Sequence, residues 1–337
     1  MKSKLTIQLL DCTLRDGCYV CDSQFGDETI KKTIKYLETA GTEIIELGWF
    51  KDKERQAGSA FFHQPSDVTP FLEKKPGVVY AVMIDWDRYN LDNLPANDSA
   101  SIDAIRVVFP HGKHREGIEA GKAIMGKGYK VYFQAANTLA YSDDDLIDLC
   151  RCINKTDAVA VSIVDTFGAM SPQDLSRICR VVGDNLDSDK LVGFHAHNNQ
   201  QMAYALSIQF VEYFSGRRSI IVDSTLCGMG RGAGNTTTEL LTNYLNHKGK
   251  HYDMKYILRA IDECIEPLKS KFSWGYSTPY FISGAYCAHV NNLAYLEKHH
   301  NSSNEDIWKT FSKMSPEDRT HYDYDLLEQA FSKRNDC

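Results

Sequence analysis

Proline is sparse in this chain, at 9 of 337 residues, and with 43% hydrophobic residues the composition excludes a disordered or low-complexity protein. No apolar run approaches the roughly 18 residues of a membrane span. The opening MKSKLTIQLLDCTLRDG holds one short apolar patch, so neither a span nor a signal peptide is expected. Blocks of like charge are also missing: 38 Lys+Arg stand against 45 Asp+Glu, a net charge of −7, which argues against nucleic acid and anionic membrane as partners and for a small molecule or another protein. Nor are there paired CxxC sets. The 10 cysteines lie scattered among apolar segments, as in a reducing compartment where the thiol is a small hydrophobe, and the expected location is the cytoplasm. Cys18 and Cys21 form one CxxC-like spacing without a second half-site, and read as structural or incidental thiols.

What is present is a period. Eight short β-rich runs lie at 5–11, 43–49, 78–84, 104–109, 130–136, 158–164, 191–196 and 219–223, with starts 26 to 38 residues apart, the length of a strand, a helix and two loops. They are nearly continuously apolar, as strands buried on both faces are. Helical periodicity fills the intervals. DETIKKTIKYLETA (27–40) places Ile30, Ile34 and Leu37 on one face, Ser142 stands before an acidic first turn over 142–153, and Ser171-Pro172 opens a helix over 171–182. The spacing predicts a (β/α)8 barrel over 1–250, although an open doubly wound sheet also alternates strand and helix. From 251 to 337 only helical patterns follow, so a C-terminal helical appendage is expected.

Chemistry in a barrel sits past the C-terminal ends of the strands. There the first run ends in Asp11-Cys12-Thr13-Leu14-Arg15-Asp16-Gly17 and the seventh in Gly193-Phe194-His195-Ala196-His197-Asn198-Asn199. Two His residues two apart on a strand share a face, about 6.5–7 Å apart along the chain, so both imidazoles can reach one cation. An H-x-H pair alone also occurs on surface strands and in polar networks. Asp16, delivered from the adjoining first strand, would complete a facial set of two His and one carboxylate, suited to Mn2+ or Mg2+ acting as a Lewis acid on a 2-oxo acid.

LLDCTLRDG, GFHAHNN and the glycine-rich GMGRGAGN (228–235) together resemble the DRE-TIM metallolyase (HMGL-like) superfamily over roughly residues 6 to 250, and within it most nearly the 4-hydroxy-2-oxovalerate aldolases. The resemblance implies a class II pyruvate aldolase, a carbon–carbon lyase that cleaves or forms 4-hydroxy-2-oxo acids through a metal-bound pyruvate enolate. It implies Asp16, His195 and His197 as metal ligands and Arg15 as the group that stabilises the enolate oxygen. Glu46, ending the second run in IELGW, is the acid expected to orient Arg15. Thr166, in Val164-Asp165-Thr166-Phe167-Gly168-Ala169-Met170, stands where the aldolases use a serine against the pyruvate carboxylate, and Asn235 matches a residue near the metal.

The match has departures. Tyr19 stands where the aldolases carry a histidine acid/base, and a phenol is a poor base at neutral pH. Cys227 lies just before the loop in which CoA-dependent lyases carry a catalytic cysteine, and reads as a buried small residue; the loop itself carries Arg231. FSWGYSTPY (272–280) resembles the segment that brings a tyrosine over the aldolase site, so Tyr276 or Tyr280 is expected either there or in the packing of the appendage; His289, His299 and His300 are expected to be solvated or packed. The family also implies an aldehyde as second substrate, an acylating aldehyde dehydrogenase as partner and a homodimer. Two other activities fit the same residues: a Claisen-type acyl-CoA/2-oxo acid synthase, and a barrel that has lost catalysis and serves as a metal-binding assembly subunit.

Overall fold

The structure, a computed structural model, describes residues 5–335; Cys337, among the thiols counted above, lies outside them. Eight parallel strands form the barrel: β1 (Ile7–Asp11), β2 (Ile44–Phe50), β3 (Val79–Asp85), β4 (Ala104–Phe109), β5 (Lys130–Ala135), β6 (Ala160–Asp165), β7 (Leu191–Ala196) and β8 (Ile220–Ser224). Pairing of Leu10 with Ile44 and of Asp11 with Ile45 joins β1 to β2, while β1 pairs with β8 from Ile7–Ile220 to Asp11–Ser224. That closure excludes the open sheet. A two-residue strand, Phe61–Phe62, adds to the outer edge of β2 and was not evident in the sequence.

Local signals explain most helices. Ser142 and Ser171 cap Asp143–Ile153 and Pro172–Asn185 with reciprocal capping boxes, and Pro172 occupies the first helical position, where its missing N–H costs nothing. Two of the eight helical intervals are nearly empty, however. After β2 there is only Pro65–Val68 with a 3-10 turn at Thr69–Phe71, and after β3 only the 3-10 turn Leu91–Asn93. Pro70 and the turn-rich LPANDS that follows Asn93 prevent longer helices there.

Strand alternation divides the apolar residues. Leu9, Ile45, Val82, Ile105, Val131, Val161, Val192 and Val222 pack outward under the helices, while Leu10, Ile44, Ala81, Ala104, Tyr132, Ala160 and Ile221 fill the barrel. Beyond β8 the chain is helical. Tyr252, Ile257, Ile265 and Leu268 still belong to the barrel's outer apolar layer, and a separate cluster of Ile282, Leu293, Leu296, Ile307, Phe311 and Leu327 forms the core of the later helices. Among the described residues no helix is long and apolar enough to cross a membrane. The nine described cysteines are all unpaired, with Cys18 and Cys21 buried and their thiols directed at the carbonyls of Leu14 and Gly17.

Candidate metal and active site

Two residues along each strand from the apolar filling of the barrel, the inward positions turn polar: Glu46 follows Ile44, Arg106 follows Ala104, Gln134 follows Tyr132 and Asp223 follows Ile221. All four are at most 2% exposed. Arg106 Nη1 donates to Glu46 Oε2 at 2.7 Å, and its Nη2 donates to Gln134 Oε1 at 2.8 Å and to Asp223. Burial opposes the charge on Arg106, but the two carboxylates outweigh it and raise its pKa; burial likewise would raise Asp223, but Arg106 and His195 hold it below the usual carboxylate range. A buried cation between two buried acids is a fixed electrostatic floor for whatever lies above it.

Above that floor lies the predicted ligand set. Ligand atoms of Asp16, His195 and His197 all lie within 4.8 Å of one another, on buried residues. His195 Nδ1 and Asp223 Oδ2 are 3.0 Å apart, so the carboxylate accepts the hydrogen bond from Nδ1–H and leaves the Nε2 lone pair to face a cation. His197 Nδ1 is buried without a partner, 3.8 Å from Asp16 Oδ2. Burial first, then its charged neighbours, push His197 down to about 4 against the pull of Asp16, so the imidazole is neutral near pH 7, the form that ligates. Burial would raise Asp16, but Arg15, His197 and His195 override it and hold the carboxyl well below the usual range. Two imidazoles, that of His197 neutral, one ionised carboxylate and an orphaned buried nitrogen beside that carboxylate fit a divalent cation.

Arg15 lies beside them. Its Nε donates to Glu46 at 2.8 Å and its Nη1 to Asp16 at 2.6 Å, while Nη2 bonds neither acid. Glu46 thus binds both arginines through one oxygen. Asn235 donates its side-chain amide to Asp16. Thr166 Oγ1 accepts the Asn137 N–H at 2.6 Å, which leaves the hydroxyl proton to donate elsewhere. Its loop is locked to the His197 strand end: His197 N–H donates to Asp165 O and Gln200 N–H to Gly168 O, with Gly168 at φ 58° and so close that a Cβ would stand 2.5 Å from the Asn199 nitrogen.

The tyrosines separate. Tyr19 stands at the mouth, edge-on to Trp49 with ring centres 6.2 Å apart and beneath the Arg231 guanidinium at 4.8 Å. Its residue is 45% exposed, yet the surrounding barrel wall desolvates the phenol enough to push it up to about 12, against Arg231 and Arg15, so it holds its proton. Tyr276 is 61% exposed, and Tyr280 packs against the cluster of the later helices because Ser277 caps Thr278–Ala285 and turns that face inward. Among the described residues neither phenol bonds a member of the ligand set. Cys227 is half-buried rather than buried, in left-handed backbone (φ 52°), and burial pushes its thiol up to about 11. His299 stacks on Tyr295 and His300 bonds Glu328, as packing residues do, but His289 faces Arg231 at 3.0 Å across the mouth.

Sequence reasoning missed Arg106, Gln134 and Asp223. The available signal was an arginine inside the otherwise apolar strand AIRVVF, a position where a charge is tolerated only with buried partners.

A family model described as HMGL-like matches residues 112–265. The chain is 26% identical over 288 residues to the 4-hydroxy-2-oxovalerate aldolase of Moorella thermoacetica, covering 79% of this chain and 78% of that protein. It is 28% identical over 250 residues to the oxaloacetate decarboxylase of Mycobacterium tuberculosis, covering 72% and 70%. Among solved structures, the N-terminal domain of a Bacteroides vulgatus protein provisionally named an aldolase superposes with a TM-score of 0.75 at 27% identity, covering 88% of this chain and 98% of that one.

Proposed function

We propose that the chain, whose residues 112–265 match the HMGL-like family model, is a member of the HMGL-like (DRE-TIM metallolyase) superfamily and a divalent-metal-dependent pyruvate aldolase that cleaves or forms 4-hydroxy-2-oxo acids. The observation that carries this reading is the convergence of Asp16, His195 and His197 beside a guanidinium with one free face. Those three residues would hold the cation, Mn2+ or Mg2+. Bound there, it would supply Lewis acidity to the 2-oxo group of the substrate.

The chain's own groups do the rest. Arg15, fixed by Glu46 and Asp16, presents Nη2 where negative charge develops on the 2-oxo oxygen as the carbon–carbon bond breaks, and being already oriented it stabilises that charge without reorganising. Thr166 donates its hydroxyl proton to the pyruvate carboxylate while its oxygen stays bonded to Asn137. Asn235 keeps Asp16 turned toward the two imidazoles. Tyr19, protonated at neutral pH, serves as a hydrogen-bond donor to the substrate 4-oxygen; deprotonation of that hydroxyl in cleavage belongs to another base or to water.

The test is direct. Purified protein with Mn2+ is expected to release pyruvate from 4-hydroxy-2-oxo acids, with the rate lost on adding EDTA and reduced by at least about 10²-fold in Arg15→Ala. Release of pyruvate that survives both treatments would contradict the proposal.

A further inference from the structure

The aldolase reading leaves open what the acceptor aldehyde carries at its far end, and the mouth of the barrel bears on it. Three elements meet there: Tyr19 after β1, the loop 228–235 after β8, and the start of helix Val290–His300 from the appendage. Gly230 lies so close to Asp16 that a Cβ would stand 2.6 Å from its Oδ2, so the next residue, Arg231, rises directly beside the ligand set. The Arg231 guanidinium covers the Tyr19 ring and places Nη2 at 3.0 Å from His289 Nε2 and 3.2 Å from Asn291 Oδ1. Among the described residues Arg231 has no carboxylate partner, unlike Arg15 and Arg106.

The hydrogen bonds at His289 do not balance. Its Nδ1 accepts the Asn291 N–H at 3.1 Å as the helix N-cap. A neutral imidazole has one proton, which then sits on Nε2 and points at the Arg231 Nη2 donors. Burial, with Arg231 adding to it, holds His289 down at about 3, so protonation does not occur near neutral pH and would only worsen the opposition. Two donors 3.0 Å apart, one of them on an unneutralised cation, call for a negatively charged oxygen that accepts from both.

We propose that Arg231 and His289 bind an anionic group, a carboxylate or a phosphate, at the far end of the acceptor, so that the enzyme prefers an acidic aldehyde to a neutral one. The inference rests on the aldolase reading. In the addition direction, pyruvate C3 gives up a proton and bonds the aldehyde carbon, whose oxygen takes up a proton, so no co-reactant enters. The far end of an acceptor lying along Tyr19 reaches Arg231, and the product is a 4-hydroxy-2-oxo acid with a second anionic group.

The experiment compares kcat/KM for addition of pyruvate to propanal, succinic semialdehyde and glycolaldehyde phosphate. One anionic acceptor is expected to exceed propanal by at least about tenfold, and which one does so assigns carboxylate or phosphate. In Arg231→Ala that preference is expected to fall by about tenfold or more, through the KM of the anionic acceptor, and Arg231→Lys is expected to restore part of it. Equal use of propanal by the wild type overturns the proposal. So does an Arg231→Ala variant that loses both kinds of acceptor alike, or one that raises the KM for pyruvate in hydrogen exchange at its methyl group, which would place the guanidinium on the donor. Absence of that exchange in the wild type is a separate result, and defeats the aldolase reading itself.

Discussion

Asp223 decides what His195 can do. By accepting the hydrogen bond from Nδ1–H it fixes the tautomer and leaves Nε2 free to ligate, and it is itself held ionised by Arg106. Asp223→Asn is therefore expected to weaken Mn2+ binding by about 10–100-fold in calorimetric titration, with thermal unfolding still a single transition; unchanged affinity would contradict this role. Asp11 makes a different prediction. Burial raises its carboxyl to about 6, against bonds from Thr13 and Thr238. Its folded value lies above the unfolded one, so its contribution to stability is full below about pH 4 and lost as pH rises through about 6. Asp11→Asn keeps the shape and cannot ionise. Urea unfolding is expected to find it more stable than wild type by about 2 kcal/mol at pH 7.5, with no advantage at pH 4; an advantage that grows on acidification would refute it. His195 and His197 were legible at this scale because a two-residue spacing on a strand declares a shared face. Glu46, Arg106 and Asp223 formed no visible group, because 60 and 117 residues separate Arg106 from its two acids and only barrel closure joins them.

Among the elements, strands were easier to foresee than helices. Each barrel strand carries its own apolar run, whereas the helices after β2 and β3 are cut short by Pro70 and the LPANDS turn, whose effect the period alone does not reveal. Loops were least legible, since their shape comes from one another. The loop after β6 is pinned to the loop after β7 at Gly168, whose φ of 58° and 2.5 Å approach to the Asn199 nitrogen exclude a side chain. Gly168→Ala is expected to cost more than about 1 kcal/mol in urea unfolding and to reduce pyruvate release, because relief of the clash moves His197 or Thr166. A variant with wild-type stability and rate would show that the two loops are not rigidly joined. Tyr276 and Tyr280 depended likewise on how the later helices dock: Trp274 Nε1 donates to Cys227 O and Gln200 Nε2 to Phe281 O, contacts that no spacing in FSWGYSTPY announces.

At the scale of the molecule, a chain of net charge −7 places Arg15, Arg106 and Arg231 toward the end of the barrel that holds the candidate ligand set. Arg15 and Arg106 are neutralised by Glu46, Asp16 and Asp223, and among the described residues Arg231 has no carboxylate partner, so the proposed anionic 2-oxo acid would meet local attraction against an unfavourable overall field. The later helices contribute to that mouth through His289 and Asn291. The central claim, that Asp16, His195 and His197 hold a cation which makes the pyruvate methyl group acidic, is tested most directly by proton–deuterium exchange at that methyl, followed by NMR without any aldehyde. Exchange is expected to require added Mn2+ or Mg2+, to stop with EDTA and to be lost in Asp16→Ala. Exchange that continues without metal, or in Asp16→Ala, would contradict it.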